Sequence, residues 1–162
     1  VAKKAVTRIR TQLIGLARKA GKFEDAVSQV DALIKEHPQA LEPRLEKGRV
    51  LQAWADQNPS KFDEAVSHWY GVRNMLEPIK KKYPNEYYEV VYYSAACLNT
   101  QVQKAEAAKD KKLALEKALE GAKILTSALV LNPKLSGPAM VAKYESLLKK
   151  LKDTIARLGG GK

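Results

Sequence analysis

Catalysis by a metal or a nucleophile needs a ligand set, or a base beside the nucleophile, and for these roles the chain offers two histidines, one cysteine and two adjacent acid pairs. His37 directly precedes Pro38, where a helix has to stop, and an imidazole there serves the last carbonyls and the negative helix end. His68 stands beside Trp69 without Glu-x-x-His or His-Glu-x-x-His spacing, so it reads as a packing or surface residue. Cys97 lies between Ala96 and Leu98 and reads as a small buried hydrophobe. As the single cysteine it also excludes an intrachain disulfide. Glu24-Asp25 and Asp63-Glu64 fall at helix starts, where the macrodipole stabilises carboxylates without any acid or base role. The glycines are isolated, and the closing Gly159-Gly160-Gly161-Lys162 has no following helix to cradle a phosphate. These residues predict no enzyme, no cofactor and no metal.

The elements that hold them are helical in period. At 162 residues the chain suits one compact domain or one short array, and 45% apolar content is enough for a packed core. No apolar run approaches the roughly 18 residues of a membrane helix, and no signal-peptide core follows the basic start. The chain therefore reads as soluble and, starting at Val1 rather than Met, as a piece of a longer protein. The net charge of +11 is uneven. Residues 1–22 carry seven Lys or Arg and no acid, residues 23–133 fifteen against sixteen acids, and residues 134–162 seven against two.

Residues 3–20 put Val6, Ile9, Leu13, Leu16 and Ala20 on one stripe, the spacing of an amphipathic helix, whose apolar side ordinarily faces a core. Gly21-Lys22 breaks it. A second helix starts at Phe23 and runs through Ala26, Val30, Leu33 and Ile34 to His37. A third begins near Leu41 with Leu45, Gly48, Leu51 and Ala55, and Asn58-Pro59-Ser60 turns the chain. Lys61-Phe62-Asp63-Glu64-Ala65-Val66 then repeats Lys22-Phe23-Glu24-Asp25-Ala26-Val27 with one exchange at each acidic position, and Pro78 should kink or end the helix that follows. Tyr87–Val102 and Leu113–Leu131 are again helical in period. Asp110, as an N-cap, predicts a turn between them near Lys109-Asp110-Lys111, one long bent helix being the alternative.

Three sets share an apolar residue, a second four positions on, and a proline eight or nine after that: Ala26/Val30/Pro38, Ala65/Trp69/Pro78 and Gly121/Leu125/Pro133. With the repeated Lys-Phe-acid-acid-Ala-Val signature they resemble the second half of the tetratricopeptide (TPR) repeat. The resemblance covers about residues 5–133. It implies an all-α right-handed superhelix of about three antiparallel helix pairs, at 3–38, 41–84 and 85–133, in repeats longer than the family's. A last helix at 137–158, with Val141, Tyr144, Leu148, Leu151, Ile155 and Leu158 at steps of three and four, either covers the last pair or zips to another chain. Covering is the expectation, with 159–162 as a flexible tail.

Such an array is normally a docking surface, so the resemblance implies a non-catalytic protein-interaction scaffold. In the family's register Arg8, Gln12, Gly15 and Arg18 or Lys19 of the first pair, and Arg49 and Gln52 of the second, face the concave groove. On the fifth helix Tyr87, Val91, Ala95, Leu98 and Val102 form the better core stripe, and Tyr88, Tyr92, Asn99 and Gln103 an adjacent stripe that lines the groove or packs on the neighbouring pair. The expected ligand is a peptide or protein segment, with the basic residues steering an acidic one. Binding of nucleic acid or an anionic membrane by the basic ends, through Lys3, Lys4, Arg8, Arg10, Lys149, Lys150 and Lys152, is the alternative, and an accessory role to an enzyme comes third.

Overall fold

Seven α-helices lie among the described residues, 1–159 of a computed structural model. These are α1 (Ala2–Lys19), α2 (Phe23–Glu36), α3 (Leu41–Gln57), α4 (Phe62–Leu76), α5 (Pro84–Ala107), α6 (Lys111–Leu131) and α7 (Pro138–Gly159). No strand occurs among the described residues. Gly159 closes α7 instead of opening a tail, and the rest of the expected tail lies outside the described residues.

Local chemistry explains each boundary. At the end of α1, Gly21 has φ +74, its N–H donates to the Arg18 carbonyl at 3.0 Å, and the Lys22 N–H donates to the Ala17 carbonyl at 3.0 Å. That paired pattern is the Schellman motif, which satisfies the last carbonyls of a helix. The end of α5 repeats it without glycine. Lys109 takes the left-handed conformation (φ 60), its N–H donates to Glu106 at 2.9 Å and that of Asp110 to Ala105 at 2.9 Å. Asp110 then caps α6 by accepting the Leu113 N–H at 3.0 Å. So α5 and α6 are separate helices. Asn58 caps the 3-10 turn Pro59–Lys61 by accepting from the Ser60 N–H at 3.2 Å. Pro78 sits in a second 3-10 turn, Glu77–Ile79, directly after α4 ends.

The helices gather into two compact units, Val1–His68 and the residues from Trp69 onward. In the first, α1, α2 and α3 pack on one another around Ile14, Phe23, Ala26, Val30, Leu33 and Val50, with Phe23 stacked on Trp54 at 6.1 Å. In the second, α6 packs against both α5 and α7. Its core joins Val91, Ala95 and Val102 of α5 to Ala114, Ala118, Ala122 and Leu125 of α6 and to Tyr144, Leu148 and Leu151 of α7.

The expected inward stripe of α1 is reversed. Val6, Ile9, Leu13 and Leu16 are 52%, 55%, 56% and 60% exposed, and the buried face is Thr7, Thr11, Ile14 and Gly15. Burial of the threonines is affordable because each hydroxyl donates back along the helix, Thr7 to the Lys3 carbonyl at 2.9 Å and Thr11 to the Thr7 carbonyl at 2.8 Å. Gly15 faces α3, and a Cβ there would meet the Glu46 carboxylate at 3.4 Å, the edge of ordinary van der Waals contact. In α7 the stripe goes where periodicity puts it: Tyr144, Leu148 and Leu151 are buried, and Val141, Ile155 and Leu158 pack beside them.

Candidate functional site

An open groove of ≈ 1220 Å³ lies inside the first unit, between α1, the end of α2 and the start of α3. Its α1 wall carries Lys3, Lys4, Thr7, Arg8, Thr11, Gln12, Gly15, Leu16, Arg18 and Lys19. The opposite wall carries Glu36, His37, the Pro38–Ala40 connection, Glu42, Glu46 and Arg49. Of the residues expected to face a groove, Arg8, Gln12, Gly15, Arg18, Lys19 and Arg49 all line this one, whereas Gln52 does not. The α1 residues among them share a wall because α1 turns its non-apolar side to α3, and Arg49 faces them from α3.

Glu46 organises the electrostatics. Only 5% exposed, its carboxylate accepts from Arg18 Nε at 2.7 Å and from Arg49 Nη1 at 3.3 Å. A carboxylate so far out of water needs such partners, because an unpaired buried charge is very costly. Arg18 and Arg49 are thereby held together at the groove. Glu36 is tied to Arg10 by a bidentate pair, which holds its carboxyl below the usual carboxylate range. Arg8, Lys3, Lys4 and Lys19 have no ion pair among the described residues. The lining thus holds six Lys or Arg against three Glu, two of which are already engaged. Such a groove attracts carboxylates and offers arginine forks to receive them.

The sequence reading overlooked Glu46, whose one signal is Arg49 three positions on, an ordinary helix-surface pairing. Thr7 and Thr11 of α1 also line the groove. His37 was read as a helix-end residue. It is the C-cap of α2, its N–H donating to Leu33 at 3.0 Å, and it also lines the groove.

The four α5 residues expected beside a groove lie in the second unit and do not form one surface. Tyr88 is 8% exposed. Its hydroxyl accepts from Asn132 Nδ2 at 2.8 Å, and its carbonyl accepts from the Tyr144 hydroxyl at 2.6 Å. Burial holds the Tyr144 phenol above its ordinary range. Tyr92 is half-buried against Tyr144, ring centroids 6.2 Å apart, with Lys143 Nζ 5.3 Å from its ring. Both tyrosines sit beneath α7, because a terminal helix with a full apolar stripe must cover something. Asn99 is half-buried and Gln103 exposed.

The residues first weighed for chemistry are dispersed. His68 Nε2 faces the Arg44 carbonyl at 2.7 Å, and burial lowers its pKa from the ordinary value. Cys97 is fully buried. The acid pairs occupy the first turns of α2 and α4. No group of three His, Cys, Asp or Glu among the described residues could hold a metal ion, and no described helix is long and apolar enough to cross a membrane. No protein-family model, curated protein or solved structure matches the chain.

Proposed function

We propose that this chain is a TPR-like helical scaffold whose α1–α3 groove binds an acidic peptide segment of another protein. The observation that carries the reading is the groove itself. At ≈ 1220 Å³ it exceeds the roughly 300–1,000 Å³ of a small-molecule site, it is an open trough, and its uncompensated charge is positive. Support for the array comes from the Lys-Phe-acid-acid-Ala-Val signature, which opens both α2 and α4, and from the short connection between α1 and α2, which makes neighbours antiparallel. The apolar rim at Leu16 and the amide of Gln12 supply contacts that survive salt, while Arg8, Arg49 and Lys19 steer and hold carboxylates.

The test is fluorescence anisotropy with a labelled, proline-containing acidic peptide of about twelve residues, which stays extended. We expect the double variant Arg8→Gln, Arg49→Gln to weaken binding at least about tenfold, the scale of losing charge-assisted contacts. Lys149→Gln with Lys150→Gln on α7 should leave it unchanged. A nucleic-acid binder would behave otherwise. Its affinity for duplex DNA would fall with a log-log salt slope of about −0.9 per phosphate contact, and tight DNA binding near physiological salt would replace the peptide reading.

A further inference from the structure

We propose that the outward face of α1 is a second docking surface, a seam that receives an acidic amphipathic helix from a partner protein. On a helical wheel of 100° per residue, Ala2, Val6, Ile9, Leu13, Leu16 and Ala20 form one line on the far side from Thr7, Thr11 and Ile14. Their steps of four, three, four, three and four are the a and d positions of a coiled coil. The four large side chains are each more than half exposed, and none belongs to the core of the first unit. A fold ordinarily turns its best stripe inward. Here two threonines and a glycine go inside, and the best stripe is left to solvent.

Charge names the occupant. The positions flanking the seam are Ala5, Gln12 and Lys19 on one side and Lys3, Arg10 and Ala17 on the other, and residues 1–22 contain no acid. Arg10 is paired with Glu36; Lys3 and Lys19 have no ion pair among the described residues. Because residues 1–22 contain no acid, a second copy of α1 laid along the seam would bring no partner for these cations and gain no interhelical ion pair. A helix with Glu or Asp beside its own a and d residues would gain pairs with Lys3 and Lys19 at the two ends of the seam. An anionic membrane would also attract these charges, but interfacial helices present a broad apolar face, and α1 has a narrow line without Trp, Tyr or Phe. The seam shares Leu16 and its flanking Lys3, Gln12 and Lys19 with the groove, whereas Val6, Ile9 and Leu13 lie outside the groove lining.

The experiment uses the whole chain and a labelled synthetic peptide of four heptads, with Ile and Leu at a and d and Glu at e and g. In anisotropy at physiological salt we expect binding in the micromolar range, none to the same peptide with Lys for Glu, and at least tenfold weakening by Ile9→Asp. Arg49→Gln should not change it. Should Ile9→Asp lose ellipticity, Ile9→Gln is read in its place. The proposal is overturned if the acidic peptide does not bind or binds the seam variants equally well. It is equally overturned if the chain prefers phosphatidylserine vesicles to the peptide, or if it dimerises at micromolar concentration and Ile9→Asp makes it monomeric.

Discussion

Helices α1 and α7 carry the same message in their sequences and meet opposite fates. Each has apolar residues at alternating steps of three and four over more than four turns. In α7 that line is buried, from Tyr144 through Leu148 to Leu151; in α1 the corresponding line, Val6 through Leu16, faces water. The difference lies in the other face. The non-stripe side of α7 is dominated by Lys143, Glu145, Lys149, Lys150, Lys152 and Asp153, none of which can be buried cheaply. That of α1 offers Thr7, Thr11, Ile14 and Gly15, small or self-satisfied groups that pack well. A stripe shows that a helix is amphipathic, but which side goes inside depends on whether the alternative side could also be buried.

The sharpest way to break this comparison is to shave both stripes. Leu151 is fully buried, with Cδ1 3.0 Å from where a Cβ on Gly121 would lie, so Leu151→Ala should cost about 2–5 kcal/mol, the range for a large-to-small change in a packed core. Ile9→Ala should stay within about 0.5 kcal/mol, as surface changes usually do. Denaturant unfolding of the two variants checks it. A cost for Ile9→Ala near that of Leu151→Ala would mean that the α1 stripe is covered in the isolated chain.

The two Schellman turns sharpen the contrast on a smaller scale. Gly21 and Lys109 hold the same backbone position, after α1 and after α5, but only Gly21 has no Cβ to oppose a positive φ. A non-glycine residue in that conformation carries a penalty of roughly 1–2 kcal/mol. Lys109→Gly should therefore stabilise the chain by up to about 1 kcal/mol after the added flexibility of the unfolded state is subtracted. A fall in stability would mean that the Lys109 side chain has a contact outweighing the strain.

These particulars also show what the sequence could disclose. The ends of α1, α2 and α3 were legible because Gly21, Pro38 and Asn58-Pro59 each act within a few residues. The start of α6 was legible from Asp110 for the same reason, whereas the end of α5 was not, since lysine gives no hint of a left-handed residue. The cations that line the α1–α3 groove were named through the family register that the resemblance implies. Glu46 could not, because its burial depends on Arg18, 28 positions away. Tyr88 was similarly opaque: α5 presents four tyrosines in a row of amphipathic positions, and the choice among them is made by Asn132 and Tyr144 from distant helices.

The smallest expected effect is an asymmetry in acid stability. Both histidines of the chain fall in its first 68 residues, and the second unit has none. His68 is held below its ordinary pKa of 6.5 first by burial, then by the positive charges of Lys47 and Arg44, against the opposing influence of the Arg44 carbonyl and Asp31. An unfolded chain takes up this proton more readily than the folded one, so protonation favours unfolding. The stability His68 contributes when neutral is thus fully present above about pH 6.5 and declines as the pH falls from there toward the folded value. Glu36, also lowered, acts in a separate window below its ordinary 4.5, and the raised phenols of Tyr70, Tyr87 and Tyr144 act only at alkaline pH. Melting the whole chain at pH 7.5, 6.5 and 5.5 covers the window in which His68 acts, and the His68→Gln variant separates its part from that of any other group. We expect Tm to drop across this series and His68→Gln, which can still donate toward the Arg44 carbonyl, to flatten most of the drop. Equal slopes in the two proteins would remove His68 as the cause and, with it, the assignment of acid sensitivity to the first unit.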